Sequence, residues 1–215
     1  MNRALRLLAL PLLASSPVSA ATVLDPTGDF LPTFAGPHDA DLDVTSFSVD
    51  FNEASSTFLL GASLAGPVNP ATPGIYVIGV NTGTGTLAPF SSIGEPNVTF
   101  NQAIAIQKNG TAMIGQTVLP SAATIVGNMF SATVPLSFLP STGATPQTYG
   151  FNLWPRTAFG NNNQISDFAP ENALLRVAAV PEPSTWAMLL AGFTAIGMAM
   201  RRKKAPVTRR RVRLA

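Results

Sequence analysis

The sequence predicts an all-β protein: a single antiparallel β-sandwich, of jelly-roll or immunoglobulin-like type, between an N-terminal signal peptide and a C-terminal single transmembrane helix. Three observations carry this. About eight short runs between residues 44 and 179 are rich in β-branched and aromatic side chains and are separated by turn clusters. Several of them alternate apolar and polar residues, and no window of the body offers a helical apolar face. The two ends differ from everything between them in charge and hydropathy.

Residues 1–20 have the build of a secretory signal peptide. Arg3 and Arg6 form the charged start, Leu5 to Leu13 the apolar stretch, and Val18-Ser19-Ala20 the small-residue cleavage site. Pro11 and Pro17 argue against a buried amphipathic helix there. The body follows as residues 22–179. It opens with a loop region rich in Asp, Pro and Gly up to Asp43.

The strand-like runs are residues 44–51, 57–64, 74–80, 97–106, 112–118, 129–138, 148–154 and 173–179. In the first, Phe47, Val49 and Phe51 share one face and Ser46, Ser48 and Asp50 the other, the two-residue period of a half-buried strand. Asn52 to Ser56 and Asn81 to Gly85 read as turns. Lys108-Asn109-Gly110 places Asn-Gly between two runs, a hairpin signal. With 11% charged and 46% hydrophobic residues and no cysteine, such a body is held by its own core and not by disulfides.

The formal charge of +2 conceals an asymmetry. Residues 22–180 hold three basic residues against ten acidic ones, a net of −7, whereas residues 201–215 hold eight basic ones. The basic balance therefore belongs to the ends, and no nucleic-acid partner is expected.

Residues 185–200 contain no charge. As a helix they reach roughly 24 Å, somewhat short of a hydrocarbon core of ~30 Å. Trp186 suits the outer interface. Arg201, Arg202, Lys203 and Lys204 form a cationic stop that places the C-terminus in the cytoplasm and the acidic body outside. Residues 205–215 read as a basic cytoplasmic tail drawn to anionic lipid heads.

Val180-Pro181-Glu182-Pro183-Ser184, then the aromatic-apolar stretch with Trp186, then the basic block, resembles the PEP-CTERM sorting signal of Gram-negative bacteria, here residues 180–204. The resemblance implies an exosortase as partner, anchorage in the inner membrane after export, cleavage near the motif, and delivery to the cell surface or matrix beside extracellular polysaccharide and biofilm material. The long tail after Lys204 departs from the usual short basic end. The body is similar, over Asp25 to Asp29, residues 42–49 and residues 130–139, to the opening and later strands of DOMON and family-nine carbohydrate-binding sandwiches. That likeness implies a non-catalytic sandwich, with carbohydrate binding as the alternative to a structural or adhesive role.

Catalytic inventories come up short. The one histidine, His38, lies in a Gly-Pro-rich loop without a nucleophile elbow. Asp50 and Glu53, the one carboxylate pair suited to glycoside hydrolysis, fall on a solvent face and in a turn. Gly83 and Gly85 lack the helix of a phosphate loop. Asp25, Asp29, Asp39, Asp41 and Asp43 supply hard oxygen ligands close in sequence, so calcium is the functional expectation there and solvating charge the ordinary one. Tyr149, Trp154 and Arg156 are the candidates for an exposed sugar-binding rim, with ordinary core packing as the alternative. No other cofactor is expected.

Overall fold

The computed structural model describes residues 20–177, 189–194 and 196–197. Residues 20–177 lie in one compact unit and the C-terminal pieces in another. In the first, eleven strands run in chain order: β1 (Ala21–Leu24), β2 (Val44–Asn52), β3 (Thr57–Leu64), β4 (Ile75–Asn81), β5 (Gln102–Gln107), β6 (Ala112–Ile114), β7 (Thr117–Val118), β8 (Thr124–Val126), β9 (Met129–Pro135), β10 (Gly150–Arg156) and β11 (Leu175–Arg176). They form a five-stranded sheet, β1-β2-β3-β9-β8, and a six-stranded sheet, β11-β10-β4-β5-β6-β7. The strand pairings within each sheet are antiparallel.

Alternation sets which faces meet. Phe47, Val49 and Phe51 of β2 point inward with Phe58 and Leu60 of β3 and Phe130 and Val134 of β9. From the second sheet come Tyr76, Ile78 and Val80 of β4, Ile104 and Ile106 of β5, and Phe151 and Leu153 of β10. Phe51 and Phe58 are register partners with ring centroids 4.7 Å apart, a close cross-strand aromatic pair. Ser48 and Asp50 stay on the outer face of the first sheet, where β2 borders solvent.

The second sheet is covered on its other face too. Val77 of β4 and Trp154 of β10 are buried there with Leu31, Phe34, Phe90, Val98 and Phe168, all from long connections. Those connections close over the sheet instead of running free. Burial on both sides explains why Ile75 to Val80 reads as a nearly continuous apolar run and not as alternation. Gly79 is required beside the indole, because a Cβ there would run into the Trp154 ring.

The sandwich expected from the sequence is present, with shifted boundaries. The 97–106 run becomes a strand only at Gln102, because Val98 and Phe100 turn into the outer cluster. Residues 112–118 split into β6 and β7 around Gly115, which sits at φ +58° in a tight turn. The run from Met129 ends at Pro135, after which Leu136–Phe138 is a 3-10 turn. Within 173–179 only Leu175–Arg176 is strand among the described residues. Two strands go beyond the sequence reading: β1, which begins directly after the expected cleavage site, and β8, which pairs with β9 across Gly127-Asn128.

Candidate functional site

Chemistry-bearing side chains converge where the chain leaves β1. In Asp25-Pro26-Thr27-Gly28-Asp29, proline and glycine end the strand, and Gly28 at φ +86° bends the backbone back. Its N–H donates to Asp43 Oδ2 at 2.8 Å, tying the bend to the residue before β2. Further along, the Leu31 N–H donates to the Ser166 carbonyl at 2.8 Å, and the buried Ser166 hydroxyl donates to the Leu42 carbonyl at 2.7 Å. These bonds draw the connection after β10 against the 25–44 segment and deliver Asp167.

The Asp167 side chain is held from two sides: Oδ2 accepts from the Val44 N–H at 2.8 Å and Oδ1 from the Phe168 N–H at 2.7 Å. Oxygens of Asp25, Asp29 and Asp167 lie within 4.8 Å of one another. Asp43 stands close by, 3% exposed, and its charge acts on Asp25. Both oxygens of Asp29, Oδ2 of Asp25 and Oδ1 of Asp43 are shut off from solvent with no hydrogen-bond partner.

Crowding of like charge in a dry place shows in the proton affinities. Burial, then the charges of Asp29, Glu171 and Asp43, push Asp25 up to about 7, against a hydrogen bond with Asp167. Burial raises Asp167 to about 8; the Val44 bond opposes this, while the Asp25 and Asp29 charges add to it. Asp43 is raised by burial, then by Asp29, with the Gly28 bond opposing. The donors are carboxylates alone, which suits a hard cation and not zinc.

A pH dependence follows for protein treated with a chelator. Asp25 and Asp167 hold protons in the fold over a range where the unfolded chain has released them, so the folded state binds more protons there. The contribution of these two groups to stability is then full below about pH 4 and is lost as pH rises toward 7 to 8. Thermal melts in EDTA from pH 4.5 to pH 8 check this, with the lowest melting temperature expected at the alkaline end.

The structure breaks up the acidic set expected from the sequence. Ala40–Leu42 is a 3-10 turn, so Asp39, Asp41 and Asp43 do not share a strand face. Asp39 is partly exposed and makes no capping bond. Asp41 turns away to Lys108, with Nζ 2.7 Å from Oδ2, and the same oxygen accepts the Asn69 N–H. Asp25 and Asp29 remain together and Asp167 joins them, with Asp43 near enough to act on both Asp25 and Asp29 electrostatically. Only the fold of the 25–44 and 165–169 segments brings Asp167 near, and no sequence spacing announces it.

The expected aromatic rim is corrected. Tyr149 is fully buried between the sheets, stacked on Phe58, and its hydroxyl donates to the Leu139 carbonyl at 3.1 Å. Trp154 is 2% exposed in the outer cluster, 5.1 Å from Phe90 and 5.0 Å from Phe100. Consecutive faces of the chain around β10 thus send the two rings into different cores. Arg156 is buried and ties down its own loop, donating to the carbonyls of Ala158 and Asn161. Neither ring presents a face for a sugar. His38 stacks on Phe30 at 4.3 Å, on the surface. Glu53 accepts from Gln147 in an exposed turn, and Asp50 sits on the outer face of β2.

The expected signal peptide up to Ser19, the residues Val180 to Ser184 and Trp186, and the stop Arg201 to Lys204 lie outside the described residues. Of the apolar segment, residues 189–194 and 196–197 are helical, with Leu189, Leu190, Phe193 and Ile196 exposed. No helix among the described residues is long and apolar enough to cross a membrane. Comparison with protein families finds the PEP-CTERM protein-sorting motif at residues 179–203. No curated protein and no solved structure matches the chain. The chain therefore carries a PEP-CTERM sorting motif, which implies an exosortase as its processing partner.

Proposed function

We propose that this chain is an exported passenger of the exosortase route, with a structural or adhesive and non-catalytic β-sandwich body. The single observation that carries the reading is the sorting motif at residues 179–203. Residues 185–200 hold the chain in the inner membrane, and Arg201 to Lys204 stop transfer, leaving the body on the periplasmic side by the positive-inside rule. Cleavage near Pro181-Glu182-Pro183 then releases the body to the cell surface or the extracellular matrix. The acidic body and the basic tail part company at that step. Nucleic acid has no place in this account, because ten of the thirteen cationic residues sit in the signal peptide or beyond the cut, and the released body is acidic.

Two features support a passenger that acts without catalysis. The one histidine is exposed and stacks on Phe30, and the one sequence-suggested carboxylate pair is split between a strand face and a turn. Fractionation of host cells tests the route. With the exosortase present, most of the body is expected in the outer-surface and extracellular fractions; in a strain lacking the enzyme it stays in the inner membrane. Equal distribution in the two strains would remove the exosortase from the account.

A further inference from the structure

We propose that Asp25, Asp29, Asp43 and Asp167 form a calcium site that clamps the N-terminal edge of the sandwich to the connection after β10. The cluster holds more than acidic residues in proximity. Asp43 is 3% exposed with Oδ1 unpartnered, and Asp29 keeps two solvent-shielded oxygens without any donor. Such acceptors are costly to bury unsatisfied, and each oxygen of a carboxylate can bind a cation.

Among the described residues, no protein cation is free to serve them. Residues 22–180 contain Lys108, Arg156 and Arg176. Lys108 is engaged by Asp41 and Thr72, Arg156 by the Ala158 and Asn161 carbonyls, and Arg176 by the Thr148 carbonyl at 2.9 Å.

The choice among cations follows from donor type. Zinc takes imidazole and thiolate nitrogen and sulfur, and none is present in the cluster. Magnesium keeps several waters in a tight octahedron and is poorly served by buried carboxylates converging from separate segments. Calcium accepts 6–8 oxygens at about 2.3–2.6 Å in adaptable geometry, and carboxylates binding through one or both oxygens supply most of them. Water or backbone carbonyls complete the shell.

The ligands come from four places: the end of β1, the Gly28 bend, the residue before β2 and the segment after β10. The site can close only after residue 167 has folded back onto residue 25. Bound calcium would then fasten β1, a four-residue edge strand paired on one side, to the body. Loss of the ion is expected to loosen β1 and the 25–44 segment before the rest of the sandwich.

The test uses the full-length protein, purified in detergent, stripped with EDTA and titrated with calcium chloride by calorimetry and by thermal melts. About one ion per chain is expected, with a midpoint between roughly 10⁻⁵ and 10⁻³ M, together with a rise in melting temperature. Asp29→Asn should weaken binding at least tenfold while folding as well as wild type in EDTA, since it removes a crowded charge that has no partner. Asp50→Asn, on the outer face of β2, should bind as wild type does. No binding at 10 mM calcium, or binding unchanged in Asp29→Asn, would overturn the site. A melting shift as large with magnesium at the same concentration would overturn the assignment to calcium.

Discussion

Replacement of Lys108 by methionine is expected to destabilise the sandwich by about 3–5 kcal/mol, because it strips the cation from a buried carboxylate. Lys108 begins the turn between β5 and β6, and its Nζ lies 2.7 Å from Asp41 Oδ2 with the two side chains 4% and 3% exposed. Thr72 accepts a second bond from Nζ, and Asn69 donates its N–H to Asp41. Asp41 Oδ1 and the nearby Tyr76 hydroxyl are already without partners. Burial, and then the Asp41 charge, push the Tyr76 phenol up. Little is left there to neutralise a lone carboxylate once the ammonium is gone.

At roughly 2–4 °C per kcal/mol for a chain of this size, the melting temperature should fall by about 6–20 °C. Urea denaturation measures the loss. The double variant Asp41→Asn with Lys108→Met should recover most of it, since a buried ion pair replaced as a whole is often nearly neutral. A loss below about 1 kcal/mol in the single variant would mean that water reaches the pair and that the site is not dry.

The second large effect is expected from one side chain in the sorting signal. Pro181 and Pro183 fix φ at their own positions, and Pro183 also drives Glu182 toward extended backbone. A short extended handle with one carboxylate at a set place is what a membrane peptidase could read. Glu182→Ala keeps the extended backbone and removes the charge. Processing should drop from nearly complete to nearly absent, an effect of at least about a hundredfold if the charge pairs inside the enzyme. Stability of the sandwich should not change, because residue 182 lies beyond β11.

The sequence was most legible where one strand face meets the core and the other meets solvent. Thr57–Leu64 falls where its pattern places it, and β2 extends its run by only one residue, because Phe, Val and Leu at every second position leave no other register. The Asn109-Gly110 hairpin likewise forms, with Gly110 at φ +88° and Ile106 opposite Ala112. Legibility failed where loops do the burying. Phe90 and Phe168 lie in connections without periodicity, so nothing local shows that they cover Trp154. Asp167 was hidden for the same reason: a serine-aspartate pair in a loop gains meaning only when Ser166 reaches Leu42. Of the carboxylate cluster, three members were visible as an acidic N-terminal stretch, and the fourth required the fold.

Delivery by the sorting signal is the centre of the account, and intact mass spectrometry of the mature protein from its host, as wild type and as Glu182→Ala, tests it most directly. The wild-type mass should correspond to a chain that starts near Ala21 and ends near Pro183, recovered outside the inner membrane. The variant should keep residues 184–215 and remain in the inner membrane. A wild-type chain that retains residues 184–215 and stays membrane-bound would contradict the account and leave an ectodomain on an ordinary anchor.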